Sequence, residues 1–463
     1  MSTSTKTDRP RAAALYESAR KIYPREIKGR FASLSKLATN VLLGLFYLLP
    51  WLMWDDRQAF LFDLPARKFY LLGLTLWPQD FIYLALLLMI AALSLFFFTA
   101  LAGRLWCGFA CPQTVWTEAF IWMEQISEGT RSQRMKLDNA PWSWNKLRRK
   151  GSKQLLWISF SLWTGFTFVG YFMPIRQLGL DILAFNVGGW TLFWGLFYSF
   201  ATYGNAGYMR EQVCKFMCPY ARFQSAMFDK DTLIISYDER RGEPRGGRKR
   251  SVDRKQEGLG DCIDCQLCVQ VCPTGIDIRE GLQYECIACA ACIDACDSIM
   301  DKMDYPRGLV RYTTEHSLHS DTTRVLRPRM FIYATVLLVL GGALITSMVT
   351  RTPLILDVIR DRNTLYRELP GDVIENSYTL KLINQSNEAR KFRLSVDGVP
   401  GLTLDGAADG ITVAGGDVLS LPVRARTQRS NAYGIMNVTF SAIAVDDENV
   451  SVIEDSRFLG PTP

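Results

Sequence analysis

The chain has 463 residues and a mass of 52.5 kDa, with 48% hydrophobic and 21% charged residues, a formal net charge of +7, 12 Cys and 2 His. This composition excludes a disordered or collagenous chain and a single small domain, and 12 Cys confined to four short clusters exclude a disulfide-dense scaffold. Both His fall in the segment His316 to His319, so the apolar stretches hold no imidazole for a membrane haem.

A mean hydropathy of +0.03 averages strongly apolar stretches with strongly polar ones. An arm over residues 1–36 carries nine Lys or Arg between Lys6 and Lys36. It leads into an apolar stretch from Leu37 to Trp54, interrupted by Pro50 and read as an anchor rather than a cleaved leader. Further apolar stretches run from Phe81 to Gly103, Gln154 to Ile175, Ile182 to Met209 and Met330 to Thr350. Each approaches the roughly 20 residues a helix needs to cross a bilayer, so five spans are expected. The loop from Arg104 to Lys153 carries nine cations, whereas Asp55 to Asp80 holds three cations against four Asp. The positive-inside rule then puts the N-terminus, the basic loop and residues 210–329 in the cytoplasm, and residues 351–463 outside. The membrane region is expected over 37–209, with the last span at 330–350.

Two Cys clusters stand at the ends of apolar stretches: Cys107-Gly-Phe-Ala-Cys111-Pro112 after the second, and Cys214-Lys-Phe-Met-Cys218-Pro219 after the fourth. The placement suggests a duplicated two-span hairpin, and Trp116 aligns with Phe223 and Ala119 with Ala226 at equal offsets from the Pro. Pro favours the first helical position, so Cys111 and Cys218 are expected where a helix begins. The helix terminus, together with Arg104, Arg210, Lys215 and Arg222, is expected to lower the thiol pKa values there. Four soft thiolates brought together would suit Cu(I) or a further iron–sulfur cluster, with Met217 a candidate thioether or a packing residue. The bland alternative is that these Cys are small apolar residues at span ends.

A basic run from Arg240 to Lys255, rich in Gly and Pro, reads as a linker. It is followed by Cys262-x2-Cys265-x2-Cys268-x3-Cys272-Pro273 and Cys286-x2-Cys289-x2-Cys292-x3-Cys296. This is the two-cluster ferredoxin spacing, in which three Cys wrap one cubane and the fourth reaches the other. It assigns Cys262, Cys265, Cys268 and Cys296 to one [4Fe-4S] cluster and Cys286, Cys289, Cys292 and Cys272 to the second, within a ferredoxin domain at about 258–300. Asp297 replaces the Pro expected after the last Cys, where it could alter a cluster potential. Zinc is the weaker reading of eight Cys in this pattern.

Beyond the last span, alternating runs at Ser377 to Ile383, Lys391 to Val396, Val418 to Ala425 and Ile435 to Ala444 lie between Gly, Pro, Asn and Asp. They predict a small β-sandwich, which lacks the Cys and His of a blue-copper site and reads as a docking module. Glu118 and Glu124 could accept protons near the first Cys motif, or be ordinary helix-surface acids; His316 and His319 could bind metal in passing, or be exposed decoration. No G-x-G-x-x-G opens a βαβ unit, so a separate, unidentified electron donor is implied. No nucleic-acid motif accompanies the positive charge, and no nucleic-acid binding is expected.

On the segments Arg104 to Phe120, Cys214 to Asp231, Arg241 to Gly246 and Gly260 to Asp297, the chain resembles the CcoG/FixG/RdxA family of bacterial cytochrome oxidase accessory proteins. The resemblance implies a multi-domain protein of the bacterial inner membrane. It would combine five transmembrane helices, an inserted two-cluster α+β ferredoxin domain and a C-terminal, periplasmic immunoglobulin-like β-sandwich. It also implies reduction of Cu(II) to Cu(I) for maturation of cbb3-type cytochrome oxidase, in contact with oxidase subunits or their copper-delivery factors, with homo-oligomers admissible. Cys107, Cys111, Cys214 and Cys218 are then the copper-handling site or an additional cluster. Two other readings stand beside this one: a quinol dehydrogenase-type membrane subunit, and a non-enzymatic scaffold for oxidase assembly.

Overall fold

The computed structural model describes residues 21–462 apart from 252–256, 320–323, 325, 363, 387 and 407–409. Most of the predicted basic arm, the end of the linker run and the side chain of His319 therefore lie outside the described residues. The chain divides into two units, one running up to Gly73 and over Pro78–Leu340, the other comprising Leu74–Trp77 and Gly341–Pro463.

The first unit is helical. Helix α1 spans Arg30–Leu48 and tightens into a 3-10 turn with Pro50 in its first positions, where a missing N–H costs nothing. Asp55 to Asp80, expected as a plain outer loop, instead contains an antiparallel ribbon of Phe60–Asp63 with Lys68–Leu71. Gln58 ties it down by donating to Gly170 O at 2.7 Å and accepting from Ile175 N at 3.0 Å. The uncharged α2 covers Phe81–Ala102, and α3 (Leu105–Phe109) and α4 (Pro112–Glu128) follow. After α5 (Arg131–Asn139) comes the 26-residue α6 (Trp144–Val169). Then α7 (Ile175–Leu183) and α8 (Gly189–Thr202) lead into two π-helical segments, Tyr203–Met209 and Val213–Met217, before α9 (Pro219–Met227).

Among the described residues, three helices are long and apolar enough to cross a membrane: Arg30–Trp51, Phe81–Ala102 and α14 (Pro328–Val349). The other two expected spans differ for physical reasons. The first turns of α6 carry Lys146, Arg148, Arg149, Lys150 and Lys153, which dilute its apolar length. The stretch Ile182–Met209 breaks between α7 and α8, where Phe185 adopts φ 54° ahead of Gly188 and Gly189. What remains is a 14-residue helix continued by π turns. These two helices pack against each other closely enough that a Cβ on Gly165 would lie 2.3 Å from Gly195 O.

The ferredoxin-like part adds α10 (Glu239–Gly242), α11 (Leu267–Val271), α12 (Ala291–Met303) and α13 (Glu315–His319). A ribbon of Ile234–Tyr237 paired with Val310–Thr313 covers a core that includes Ile278, Ile293, Met300 and Leu309. Asp294 on α12 accepts from Phe31 N at 3.3 Å and Ala32 N at 2.7 Å, so it caps the start of α1. Gly29 is needed there because a Cβ would sit 2.2 Å from the Asp294 Cγ.

The second unit is a β-sandwich. One sheet orders Thr403–Asp405, Val418–Gln428, Val373–Asn384 and Leu354–Arg360, with Arg367–Leu369 also paired to Val373–Asn384. The other orders Ile411–Val413, Arg390–Asp397, Ile435–Ala444 and Ser451–Leu459. All four alternating runs read from the sequence are strands. Their inward residues, among them Tyr378, Leu380, Phe392, Phe440 and Phe458, form one core, each contributing about 1.5–3 kcal/mol by burial. Tyr378 keeps its hydroxyl satisfied on Arg457 O at 2.9 Å.

Candidate metal centres

The two ferredoxin-type runs fold alike. In the first, Asp264 and Gln266 take φ 49° and 54°; in the second, Ala288 and Ala290, at the same offsets from the leading Cys, take 55° and 61°. None of the four is Gly, and left-handed backbone costs such residues roughly 1–2 kcal/mol each, so a strain repeated at equivalent positions points to function. Alternating hands turn successive backbone N–H groups inward, making a concavity that favours an anion. Gln266 and Ala290 are also the N-caps of α11 and α12, which places Cys268 and Cys292 in the first turn of a helix. Cys272 closes α11 and Cys296 sits within α12.

One cavity is lined by Cys262, Cys265, Cys268 and Cys296, with Leu309 and Met300 behind them. A second is lined by Cys272, Cys286, Cys289 and Cys292, with Cys268 at its edge. The free space inside each is about 20 Å³, room for roughly one water-sized sphere. Among the described residues no three His, Cys, Asp or Glu side chains converge on a point that could hold a single ion. Burial pushes Cys268 and Cys286 up to about 11 and Cys289 and Cys296 up to about 12. These residues fit [4Fe-4S] clusters in donor chemistry and inward amides. Asp297 Oδ1 accepts from Gly308 N at 2.9 Å, and its charge still bears on the neighbouring Cys296.

The other four Cys are also brought together. Each Cys-x3-Cys-Pro motif ends in the same turn, with Cys111 N donating to Trp106 O at 2.9 Å and Cys218 N to Val213 O at 2.8 Å. Pro112 and Pro219 open α4 and α9, with Cys111 and Cys218 as their extended N-caps. Cys107 lies within electrostatic reach of Cys111 and Cys214, and Cys218 within reach of Cys111 and Cys214. The pKa expectation is reversed: burial raises Cys107 to about 12 and Cys214 to about 11 and lifts Cys111, outweighing the pull of Arg104 on Cys107 and Cys214. The helix-start position is right, but removal from water costs a bare thiolate more than the dipole returns.

Several residues that spacing could not reveal hold this quartet. Cys107 Sγ lies 3.3 Å from Gln224 Oε1, and the buried Arg104 donates to Ala221 O. Arg210, at φ 38° between the two π segments, donates to Glu124 Oε2 at 2.9 Å. Arg134 reaches the same oxygen at 3.1 Å. Burial pushes the Glu124 carboxyl up, but Arg210, Arg134 and Lys21 outweigh it and hold it below its ordinary range. Glu124 is thus a structural anion rather than a proton acceptor. Met217 is exposed, and His316 pairs through Nδ1 with Asp231 at 2.8 Å. The quartet touches the second ferredoxin run: a Cβ on Gly108 would lie 2.8 Å from Ile287 O and 2.9 Å from Ala288 O, one residue from Cys107 and from Cys286 or Cys289.

Comparison with known proteins agrees with this geometry. Residues 209–315 match the family described as a 4Fe-4S dicluster domain, and residues 84–128, which include Cys107 and Cys111, match a 4Fe-4S binding domain. Residues 344–461 match the IG-like fold at the C-terminal of FixG. The chain is 38% identical over 427 residues to the nitrogen fixation protein FixG of Rhizobium meliloti, covering 84% of this chain and 82% of that one. Protein RdxA of Cereibacter sphaeroides is 39% identical over 461 residues (96% and 94%), and its RdxB 40% over 406 residues (85% of each). A crystal structure of a FixG-related protein from Vibrio parahaemolyticus is 30% identical, covering 23% of this chain and 96% of that one, with a TM-score of 0.22. Dicluster cysteine runs, apolar helices and the C-terminal sandwich together make this chain a member of the FixG/RdxA family of iron–sulfur electron-transfer proteins.

Proposed function

We propose that the chain is a membrane-bound cupric reductase serving assembly of cbb3-type cytochrome oxidase. In this reading Cys262, Cys265, Cys268 and Cys296 hold one [4Fe-4S] cluster, and Cys286, Cys289, Cys292 and Cys272 the other. When bound, such clusters supply electrons one at a time. The quartet Cys107, Cys111, Cys214 and Cys218 is the site at which Cu(II) gains one electron and leaves as Cu(I), the state thiolates prefer. A further cluster on the quartet is the alternative, favoured by the match of residues 84–128 to a 4Fe-4S binding domain.

The observation that carries the reading is the packing of Gly108 against Ile287 and Ala288, which sets the quartet beside the second ferredoxin run. Arg104, buried beside the thiols, offsets the negative charge that reduction and thiolate ligation bring. Glu124 and Arg134 hold Arg210, and with it the π turn that presents Cys214. The membrane region comprises five helices, since Leu155 of α6 and Trp190 and Phe200 of α8 are exposed apolar side chains suited to lipid. The basic loop faces the cytoplasm and the sandwich the periplasm, where it docks on oxidase subunits or copper-delivery factors.

The test is to reduce anaerobically purified protein, remove excess reductant, and add Cu(II) with a Cu(I) chelator. Cu(I) should form with the wild type and be lost in Cys107→Ser/Cys214→Ser while the iron of the eight ferredoxin Cys is retained. Equal Cu(I) formation by both proteins would remove copper from the quartet.

A further inference from the structure

A cavity of about 510 Å³ lies between α1, α4 and the second ferredoxin run, and both Cys214 and Cys289 line it. Its walls are largely apolar, with Leu43, Trp122 and Phe160 among them. Trp122, which lines it, is 60% exposed, as is Ile126 one turn further along α4. Its α1 wall belongs to a helix long and apolar enough to cross a membrane. Its polar lining includes Lys36, Gln113, Arg210 and Glu211, and among these groups Glu118 is anchored: its Oε2 accepts from Ser35 Oγ and from the buried Thr39 Oγ1, each at 2.9 Å. Both hydroxyls take the same oxygen.

This volume is that of a small-molecule site, and its pattern of largely apolar walls with a few polar groups is the usual one. Its position selects the chemistry. A ligand here lies beside a Cys of the second ferredoxin run and a Cys of the quartet, so it is placed to exchange electrons with either. The apolar walls select for lipid solubility, and the carboxylate for a ligand that donates a hydroxyl proton.

We propose that this cavity binds a lipid-soluble p-quinol, which is the electron donor, and that Glu118 accepts its hydroxyl. The inference rests on the electron-transfer reading above and names the reductant it leaves open. On oxidation the quinol breaks two O–H bonds and forms two C=O bonds. Its two electrons leave singly to the iron–sulfur centres that the Cys hold, and its two protons leave in turn through Glu118 to water. One quinol thus provides for two one-electron reductions of Cu(II).

The probes are decyl-ubiquinol and a photoreactive azido-quinone, used on the intact protein in detergent. Light should attach the azido-quinone within residues 113–125, blocked by excess decyl-ubiquinone, and Leu43→Trp, which fills the cavity, should abolish labelling. Decyl-ubiquinol should bleach the iron–sulfur absorbance of the wild type. Glu118→Gln, at unchanged iron content, should slow this by about a hundredfold. Absence of competed labelling, or unchanged quinol oxidation in Glu118→Gln, would overturn the proposal. The two readings separate in the wild type. If chemically reduced protein delivers electrons to Cu(II) but quinol neither labels nor bleaches, this inference alone fails. If quinol does both while reduced protein ignores Cu(II), the quinol site stands and the cupric reading fails.

Discussion

Asp294 does two things from one position: it sits two residues beyond Cys292 and caps α1 from 262 residues away in sequence. Capping carboxylates are worth about 0.5–2 kcal/mol, so Asp294→Ala should destabilise the first unit by that amount. A lowered thermal midpoint with earlier proteolysis within α1 would register it, and an unchanged midpoint would deny the cap its role. Ala288 gives a second residue-scale expectation. Its left-handed backbone is strained for any side chain with a Cβ, so Ala288→Gly should be neutral or stabilising, and Ala288→Val should lower the iron retained per chain. Glu124 is the costliest single site. Removing it leaves Arg134 and Arg210 buried without their anion, so Glu124→Ala should cost roughly 3–5 kcal/mol and loosen the quartet before the ferredoxin runs. Circular dichroism melts combined with thiol labelling of Cys214 would read both effects.

At the scale of elements, cysteine spacing made the ferredoxin loops and both Cys-Pro helix starts legible, because ligand geometry and Pro preference are local. The strands of the sandwich were legible for the same reason, since alternation between burial and solvent is written in adjacent residues. The π segments around Arg210 were not, because nothing local distinguishes them from a continuing helix; Gly204, Asn205 and Gly207 hint only that the turn can loosen. Nor was the depressed acidity of Cys107, Cys111 and Cys214, which depends on burial by elements distant in sequence. Gly108 is the element-scale test. Gly108→Val would force Val side-chain atoms into Ile287 O and Ala288 O, separating α3 from the second ferredoxin run. The ferredoxin iron should stay bound while electron delivery to Cu(II) slows at least tenfold in rapid mixing; an unchanged rate would place the electron exit elsewhere.

The whole molecule is two separately cored units. Phe440→Ala, deep in the sandwich, should cost about 3–5 kcal/mol in that unit and leave iron content and absorbance unaltered. Calorimetry showing both transitions shifted would instead mean that the units unfold together. Counting apolar runs alone gives five spans, whereas three helices among the described residues are long and apolar enough, since cations at the start of α6 dilute its apolar length and a turn before α8 breaks the fourth stretch. The central claim, that electrons held by the ferredoxin cysteines reach Cu(II) singly, is tested most directly by titrating chemically reduced wild-type protein with Cu(II) under anaerobic conditions and counting Cu(I) against loss of the reduced iron–sulfur EPR signal. The account predicts one Cu(I) for each electron lost. A reduced signal that persists through excess Cu(II) would contradict it.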